Sequence, residues 1–306
     1  MKRWLSLLDR RWLKVIVILF PVLISIWVIW WNWAQLDVAE NWPRYIKLLV
    51  QTLLIYPLAL FPQAYAWFLI LKATGYAVDL SEESRIYFYT YLMKRLPGSI
   101  WYVGGRAALY EVRGDASRVA VVGSAIEIIL LTLAALINGG AAYASLRAGT
   151  GAGWAVGFGA FMLLVLLARQ IGRSLFPSLL RLVLPSHTYQ PSSVNFTALM
   201  MALWLYVGAY HVGASIVIHV VRTLGGETSY AQALLSWAIA GGAGMLISLL
   251  IPTGGGARDV SLWALLSAAL PPNQALLAVI LLRILLLLGD IVWSLVGWGG
   301  VTLLAK

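Results

Sequence analysis

Two stretches of related composition interrupt long apolar runs: LPGSIWYVGGR at residues 96–106 and IPTGGGARD at residues 251–259. In both stretches a proline is followed by glycines and an arginine. About thirty residues after each proline, an ionisable residue stands inside the next apolar run, Glu127 in the first case and Arg283 in the second. Paired breaks at corresponding places in two halves of a membrane protein point to a transport-type site near the middle of the bilayer. The two stretches therefore predict a helical membrane protein with a polar interior site.

The composition also indicates a membrane protein. Of the 306 residues, 61% are hydrophobic and only 11% are charged, whereas soluble domains carry about 25% charged residues. A net charge of +10 is compatible with nucleic-acid binding, but in a membrane protein it more often marks loops beside anionic lipid. We therefore expect the bilayer, and no nucleic acid, as the partner of these charges. The chain has no cysteine and only three scattered histidines, so we predict no disulfide, no metal site and no cofactor.

Apolar segments long enough to span a bilayer, which takes about 20 residues, recur along the whole chain. We expect an all-α polytopic bundle of seven or eight transmembrane helices, with the two interruptions forming re-entrant elements. Between the spans, residues 81–95 mix aromatic and charged side chains and predict an amphipathic helix on the membrane surface, as does the basic segment 169–181. The predicted spans are residues 14–33, 46–72, 117–146, 152–170, 196–221, 231–251 and 274–303.

The distribution of basic residues predicts the orientation. Five lysines and arginines lie within residues 1–14, at or before the start of the first span, and the loop that follows this span begins with Asp37 and Glu40. The positive-inside rule therefore predicts a cytoplasmic N-terminus. The first span is too long for a signal peptide and ends in a tryptophan cluster, so we expect it to be retained. We predict a multi-pass protein of the cell (plasma) membrane.

The similar order of motifs suggests an internal duplication. No linker sets off a soluble domain, so we treat residues 1–306 as one integral membrane domain. Its halves would be about 1–148 and 149–306, related as an inverted repeat. A chance match between two glycine-rich turns is the alternative.

The two breaks have the chemistry of an anion site. A proline ends a helix because it lacks an N–H group, and the glycines allow a sharp reversal. An arginine then stands at the start of the next helix, where free N–H groups and the helix dipole favour an anion such as phosphate. The alternative is a pair of cytoplasmic turns whose arginines reach lipid headgroups. The predicted binding residues are Pro97, Gly98, Gly104, Gly105, Arg106, Pro252, Gly254, Gly255, Gly256, Arg258 and Asp259.

Three ionisable residues lie inside predicted spans, namely Glu127, Arg283 and Asp290. Such residues cost about 2.5–3.5 kcal/mol on insertion scales and are functional candidates. Arg283 and Asp290 are seven residues apart and share a helix face. If the halves are pseudo-symmetric, Glu127 and Arg283 occupy equivalent places, and we expect them to pair near the midplane and to line a polar path. A buried ion pair that only fixes helix register is the alternative.

These motifs, in this order and spacing, resemble the flippase-like transmembrane domain of lysylphosphatidylglycerol synthases. The resemblance covers nearly the whole chain and rests on residues 96–98 with Gly105-Arg106, followed by Glu127, and on residues 252–259, followed by Arg283. It implies movement of a charged phospholipid between leaflets. The stand-alone relatives are thought to handle lipid-linked sugars or polyprenyl phosphates. The soluble domain that attaches the amino acid in two-domain members does not follow here, so we do not expect synthase activity. The family usually has glutamate at the position of Asp259.

The sequence thus predicts a flippase-like protein that binds and translocates an anionic lipid, either a phospholipid or a lipid-linked sugar phosphate. Enzyme motifs such as a phosphate-binding Walker loop or a nucleophile elbow are absent from the sequence. Two alternatives stay open. One is a membrane enzyme that acts on a lipid phosphate, and the other is a non-transporting partner of a glycosyltransferase or another envelope-synthesis enzyme.

Overall fold

The protein is described here by a computed structural model that covers residues 38–76, 78–95, 100–114, 117–183, 195–250 and 255–304, together with Leu23 and Trp30. Within these ranges every regular element is helical. A 3₁₀ turn, Leu92–Arg95, continues the third helix. The α-helices are α1 Val38–Ile55, α2 Pro57–Ala73, α3 Leu80–Tyr91, α4 Ile100–Arg113, α5 Ser117–Ala148, α6 Thr150–Val183, α7 Phe196–Thr223, α8 Tyr230–Leu250, α9 Gly255–Leu266 and α10 Pro272–Leu304.

Five stretches of described helix are long and apolar enough to cross a membrane. Large apolar side chains on the outside of the bundle remain exposed, among them Leu54, Leu136 and Trp154, as expected where lipid rather than water surrounds the protein. The chain is therefore a multi-pass α-helical membrane protein. The five stretches are Trp42–Ala73, Ser117–Ala148, Phe196–Thr223, Tyr230–Ile247 and Pro272–Gly297.

The first of these stretches contains a proline joint between α1 and α2. Tyr56 keeps helical dihedral angles (φ −57°, ψ −38°), so the two helices are continuous. Pro57 has no N–H group to donate to the carbonyl of Leu53, one turn earlier. That carbonyl instead accepts a hydrogen bond from Trp293 Nε1 of α10 at 2.6 Å. The joint therefore attaches the first described span to the last helix.

Helix α7 lies at the centre of the bundle and packs against α1, α2, α5, α6, α8 and α10. Its buried positions recur every three or four residues along its length, the period of a helix face that is packed on several sides. Gly213 lets α8 come close, because a Cβ atom added there would overlap the indole of Trp237. The core is therefore built around one helix and a close α7–α8 contact.

Most of the predicted spans are confirmed. The predicted spans 46–72, 117–146, 196–221, 231–251 and 274–303 coincide with described helices of membrane-spanning length, whereas the span predicted at 14–33 lies outside the described residues apart from Leu23 and Trp30.

Two details differ from the sequence-based expectation. Helix α6 runs without a break through residues 169–181, so no separate surface helix forms there. Helix α3 is a helix as expected, but Glu83, Tyr87 and Thr90 are buried against neighbouring helices rather than spread on a membrane surface. The polar residues of α3 find partners inside the bundle, and this explains the difference.

The α7–α8 contact gives a direct test of the packing. The substitution Gly213→Ala forces the indole of Trp237 to move, and overpacking of this kind costs about 1–3 kcal/mol. We expect a lower thermal unfolding midpoint in detergent. The matched control is Gly208→Ala on the same helix, where the added methyl group meets no atom of the described residues within 4 Å. The control gains helix propensity of up to about 1 kcal/mol. Equal midpoints for the two variants would contradict the described contact.

Candidate functional site

A buried carboxylate, Glu127 of α5, binds two cations, Lys94 just before the first interrupted region and Arg106 at its end. Lys94 Nζ donates to Glu127 Oε1 at 3.1 Å, and Arg106 Nη1 donates to the other carboxylate oxygen. Arg106 and Glu127 have no exposed surface, whereas the Lys94 side chain is 20% exposed. Arg106 also donates through Nε to Thr90 Oγ1 at 3.1 Å and through Nη1 to Ser124 Oγ at 3.4 Å. Arg106 is thus bound by protein groups and buried, whereas part of the Lys94 side chain remains exposed.

Aromatic rings surround the same two cations. The guanidinium of Arg106 lies 3.9 Å from the centre of the Trp67 ring and 5.2 Å from that of Tyr102. The ammonium of Lys94 lies 4.5 Å from the centre of the Tyr91 ring. Cation–π contacts of this kind strengthen when the cation is removed from water. The rings therefore help to keep two positive charges beside one negative charge in the interior.

Trp67 connects this cluster to a second buried carboxylate, Glu83. The indole Nε1 of Trp67 donates to Glu83 Oε2 at 3.2 Å. Tyr110 donates its hydroxyl proton to the same oxygen, and Arg113 Nη1 donates to Glu83 Oε1 at 3.1 Å. Nothing in the sequence singles out Glu83, because it is one of two acidic residues at the start of a predicted amphipathic helix. These bonds fix α3 and α4 to α2.

The second interrupted region supplies a different arrangement. The guanidinium of Arg258, on α9, lies 4.4 Å from the centre of the Trp237 ring. A Cβ atom added at Gly244 would lie 2.7 Å from Arg258 Cβ, so α9 packs closely on α8. Asp259 accepts a hydrogen bond from Arg283 Nη1 of α10 at 3.0 Å, and both side chains are partly exposed. Consecutive residues of α9 therefore contact two different helices.

Asp290 is buried on α10 and accepts a hydrogen bond from the hydroxyl of Tyr56. Gly289 makes this approach possible, because a Cβ atom added there would lie 2.8 Å from the Tyr56 ring. The contact lies beside the proline joint between α1 and α2. Asp290 therefore has a positioning role for Tyr56.

A cavity of about 180 Å³ lies between the turn Leu92–Arg95 and helices α7, α8 and α9. Lys94 of the turn and Arg258 of α9 both line it. The volume equals that of about six waters at the density of the liquid, which is enough for a phosphate group. The other polar or aromatic lining side chains are Tyr56, Gln63, Tyr91, Tyr210 and Trp237.

The predicted pairing of Glu127 with Arg283 is wrong. Glu127 binds Arg106 and Lys94, and Arg283 binds Asp259. Each short helix after a break instead places a charged residue against the next span of its own half. Arg106 of α4 contacts Glu127 of α5, and Asp259 of α9 contacts Arg283 of α10. Arg258 lines the cavity, whereas Arg106 is fully buried behind Lys94, a residue that is not among the predicted binding residues.

The four predicted glycines among the described residues lie in helices. Gly104 and Gly105 lie inside α4, where Gly105 makes room for the side chain of Met93. Gly255 begins α9, and Gly256 follows in its first turn. Pro97, Gly98, Pro252 and Gly254 lie outside the described residues.

Among the described residues, no group of three or more histidine, aspartate or glutamate side chains is arranged to hold a metal ion. No family model matches this chain, and no curated protein sequence matches it. The likeness to the flippase-like domain therefore stays a prediction, and the functional argument depends on the cavity and its charges.

The role of Glu127 can be tested by removing its charge. The substitution Glu127→Gln leaves Lys94 and Arg106 without their buried counter-charge, and breaking a buried pair costs about 3–5 kcal/mol. We expect a large loss of unfolding free energy, measured by denaturant unfolding in mixed micelles. The control is Glu82→Gln, which removes a half-exposed carboxylate 3.3 Å from Arg113 and should cost at most about 1 kcal/mol. A loss no greater than that of the control would show that Glu127 does not hold the cluster.

Proposed function

We propose that the protein binds the anionic headgroup of a membrane lipid between Lys94 and Arg258 and carries that headgroup between the leaflets. The observation that supports this most strongly is the shared cavity, because it is lined both by Lys94, two residues before the first interrupted region, and by Arg258, inside the second. The two residues are 164 positions apart in the sequence, so only the folded bundle brings them to one space. Two cations on one small cavity favour a phosphate-type ligand.

The charges around the cavity favour an anion as well. Lys94, Arg106 and Arg258 carry three positive charges, whereas Glu127 and Asp290 carry two negative charges. Cations thus outnumber carboxylates among these residues, which favours an anionic ligand over a cationic one.

The size of the cavity narrows the ligand. Pockets for drug-sized ligands measure about 300–1,000 Å³, and this cavity is smaller, at about 180 Å³. It has room for a phosphate or glycerol phosphate group. Its polar walls are preset: Gln63 Nε2 donates to Ala59 O at 3.1 Å, and the Tyr210 hydroxyl donates to Leu131 O at 3.3 Å. A phospholipid headgroup therefore fits better than a large glycan.

The short helices support two re-entrant elements. Helices α3 and α9 have 12 residues each, so each is about 18 Å long, less than the roughly 30 Å of a hydrocarbon core. Helix α4, with 14 residues, is also too short to cross. We infer that α3 and α4 enter and leave on one side and that α9, between the spanning helices α8 and α10, is the short helix of the second such element, as in an inverted repeat.

The remaining parts of the proposal follow from the sequence. With the predicted span at residues 14–33 and helix α6, the bundle has seven transmembrane helices. The basic N-terminus favours a cytoplasmic position for that end of the chain. The membrane is then the plasma membrane of the cell. This arrangement resembles the flippase-like domain of lysylphosphatidylglycerol synthases. An envelope-synthesis enzyme such as a glycosyltransferase is the partner that would supply or use the lipid.

Lys94 is the residue through which binding would change the site. Its ammonium is held by Glu127 at 3.1 Å, but its side chain also reaches the cavity. A phosphate oxygen in the cavity gives this ammonium a second anionic partner, while Arg106 continues to neutralise Glu127. The site can therefore accept an anion without leaving the buried carboxylate unpaired.

Charge removal at the cavity tests the proposal. Hydrogen bonds to charged groups contribute about 1.5–3 kcal/mol, so Lys94→Gln and Arg258→Gln should each weaken binding of phosphatidylglycerol about ten- to hundredfold. Binding is measured by native mass spectrometry of the protein titrated with the lipid in detergent. Translocation is measured in proteoliposomes from the quenching of a labelled phosphatidylglycerol, and we expect both variants to slow it.

The matched control is Arg147→Gln, since Arg147 is an exposed cation at the end of α5 that lies over Tyr143. It should leave binding and translocation unchanged, and Lys94→Arg should restore part of both. Equal lipid binding by the wild type and both cavity variants would overturn the proposal. Conversion of the lipid into a new product would indicate an enzyme instead of a transporter.

A further inference from the structure

The ion pair between Asp259 and Arg283 lies on the outside of the bundle, near the middle of a span. Arg283 stands eleven residues after Pro272 in the span Pro272–Gly297, about 16 Å along the helix. The side chain of Arg283 is 48% exposed and that of Asp259 is 29% exposed. Charged residues at this depth normally face the interior of a bundle or a water-filled cavity. An outward-facing pair therefore calls for an explanation.

The surroundings of the pair are apolar. Val260 follows Asp259 and is 62% exposed, and Leu276, two helical turns before Arg283 on the same face, is 46% exposed. An apolar pair at these two positions would join α9 to α10 without the penalty of placing charges beside lipid. A role in joining the two helices therefore does not by itself explain why the two residues are charged.

The pair is also close to the cavity. Arg258, the residue before Asp259, lines the cavity, and so does Leu286, which lies one turn after Arg283 on α10. The inner edge of the α9–α10 contact is therefore Arg258 and Leu286, and its outer edge is the ion pair. The ion pair thus lies one residue from Arg258 and one helical turn from Leu286, two residues that line the cavity.

We propose that the Asp259–Arg283 pair closes a lateral opening between α9 and α10, through which the anionic headgroup of a bilayer lipid enters the cavity. This inference rests on the proposed function and deepens it, because it assigns the source of the ligand to the membrane rather than to the water. The phosphate replaces Asp259 as the partner of Arg283 and then passes to Arg258, since guanidinium groups bind both kinds of oxygen anion. The acyl chains stay outside, against the apolar surface that flanks the pair.

The chain contains no cysteine, so a thiol-reactive bis-methanethiosulfonate linker, which forms a disulfide with each introduced cysteine and releases methanesulfinate, can be placed at this contact alone and removed by reduction. We would combine Asp259→Cys with Arg283→Cys, reconstitute the protein in nanodiscs and measure the exchange of dioleoyl phosphatidate before and after linking. A second arm measures the affinity for glycerol 3-phosphate in water. The control places the same linker with Ala141→Cys and Gly157→Cys at the α5–α6 contact, where a Cβ on Gly157 would lie 3.2 Å from that of Ala141.

Linking α9 to α10 should slow phosphatidate exchange at least about tenfold, a change of about 1.4 kcal/mol in the barrier, and reduction of the linker should restore it. The control link should change nothing, and the affinity for glycerol 3-phosphate should stay the same in every linked form. Unchanged phosphatidate exchange after linking would overturn the lateral opening while leaving the anion site intact. Failure of the wild type to bind either probe would overturn the proposed function itself.

The single substitution Asp259→Asn gives an independent readout that does not depend on the cysteine variants. It weakens the closed state and should speed phosphatidate exchange several-fold. Slower or equal exchange in this variant would contradict a closing role for the pair.

Discussion

An unpaired charge is hardly tolerated in an apolar interior, and Glu127 meets this constraint for the whole first half of the protein. Its two oxygens hold Arg106 from α4 and Lys94 from the turn after α3. Neither of those short segments is long enough to stabilise itself as an isolated helix. They keep their places because three ionisable groups from three segments satisfy one another beside aromatic rings. The position of Lys94 at the cavity is a consequence of this arrangement.

The two halves differ in how firmly their short helices are held. In the first half, α3 and α4 are fixed by two buried carboxylates, Glu127 and Glu83, with Trp67 between them. In the second half, α9 contacts α8 closely at Gly244, but its ion pair with α10 is partly exposed. If the protein moves during lipid transfer, the second half has the weaker attachment. The two cations that line the cavity are thus held differently. Lys94 is bound to the buried Glu127, whereas Arg258 lies beside the partly exposed ion pair between α9 and α10.

Much of the fold follows from the sequence because the length of an apolar run determines whether it spans a bilayer. The interior position of Glu127 could also be predicted, since a lone acidic residue in such a run must face protein. Its partners could not be predicted, because 22 lysines and arginines compete for it and only the packing selects among them. The role of Lys94 could not be predicted, because a mixture of aromatic and charged residues also indicates a surface helix. In the structure these rings lie against the cations Lys94 and Arg106. The sequence predicts Gly105 in a turn, but a glycine is also required where another side chain, here that of Met93, approaches a helix closely.

The bond between Trp293 and the Leu53 carbonyl has a mechanical meaning. A helix interrupted by proline normally bends at that place, because one of its carbonyl groups has no internal donor. Here the missing donor comes from α10, so bending of the first span and displacement of α10 are one movement. A tilt of either helix would carry the other with it or strip a main-chain oxygen of its only described donor deep in hydrocarbon. In any rearrangement of the bundle we therefore expect α1 and α10 to move together, and α9, which contacts α10 through a partly exposed ion pair, to move relative to them.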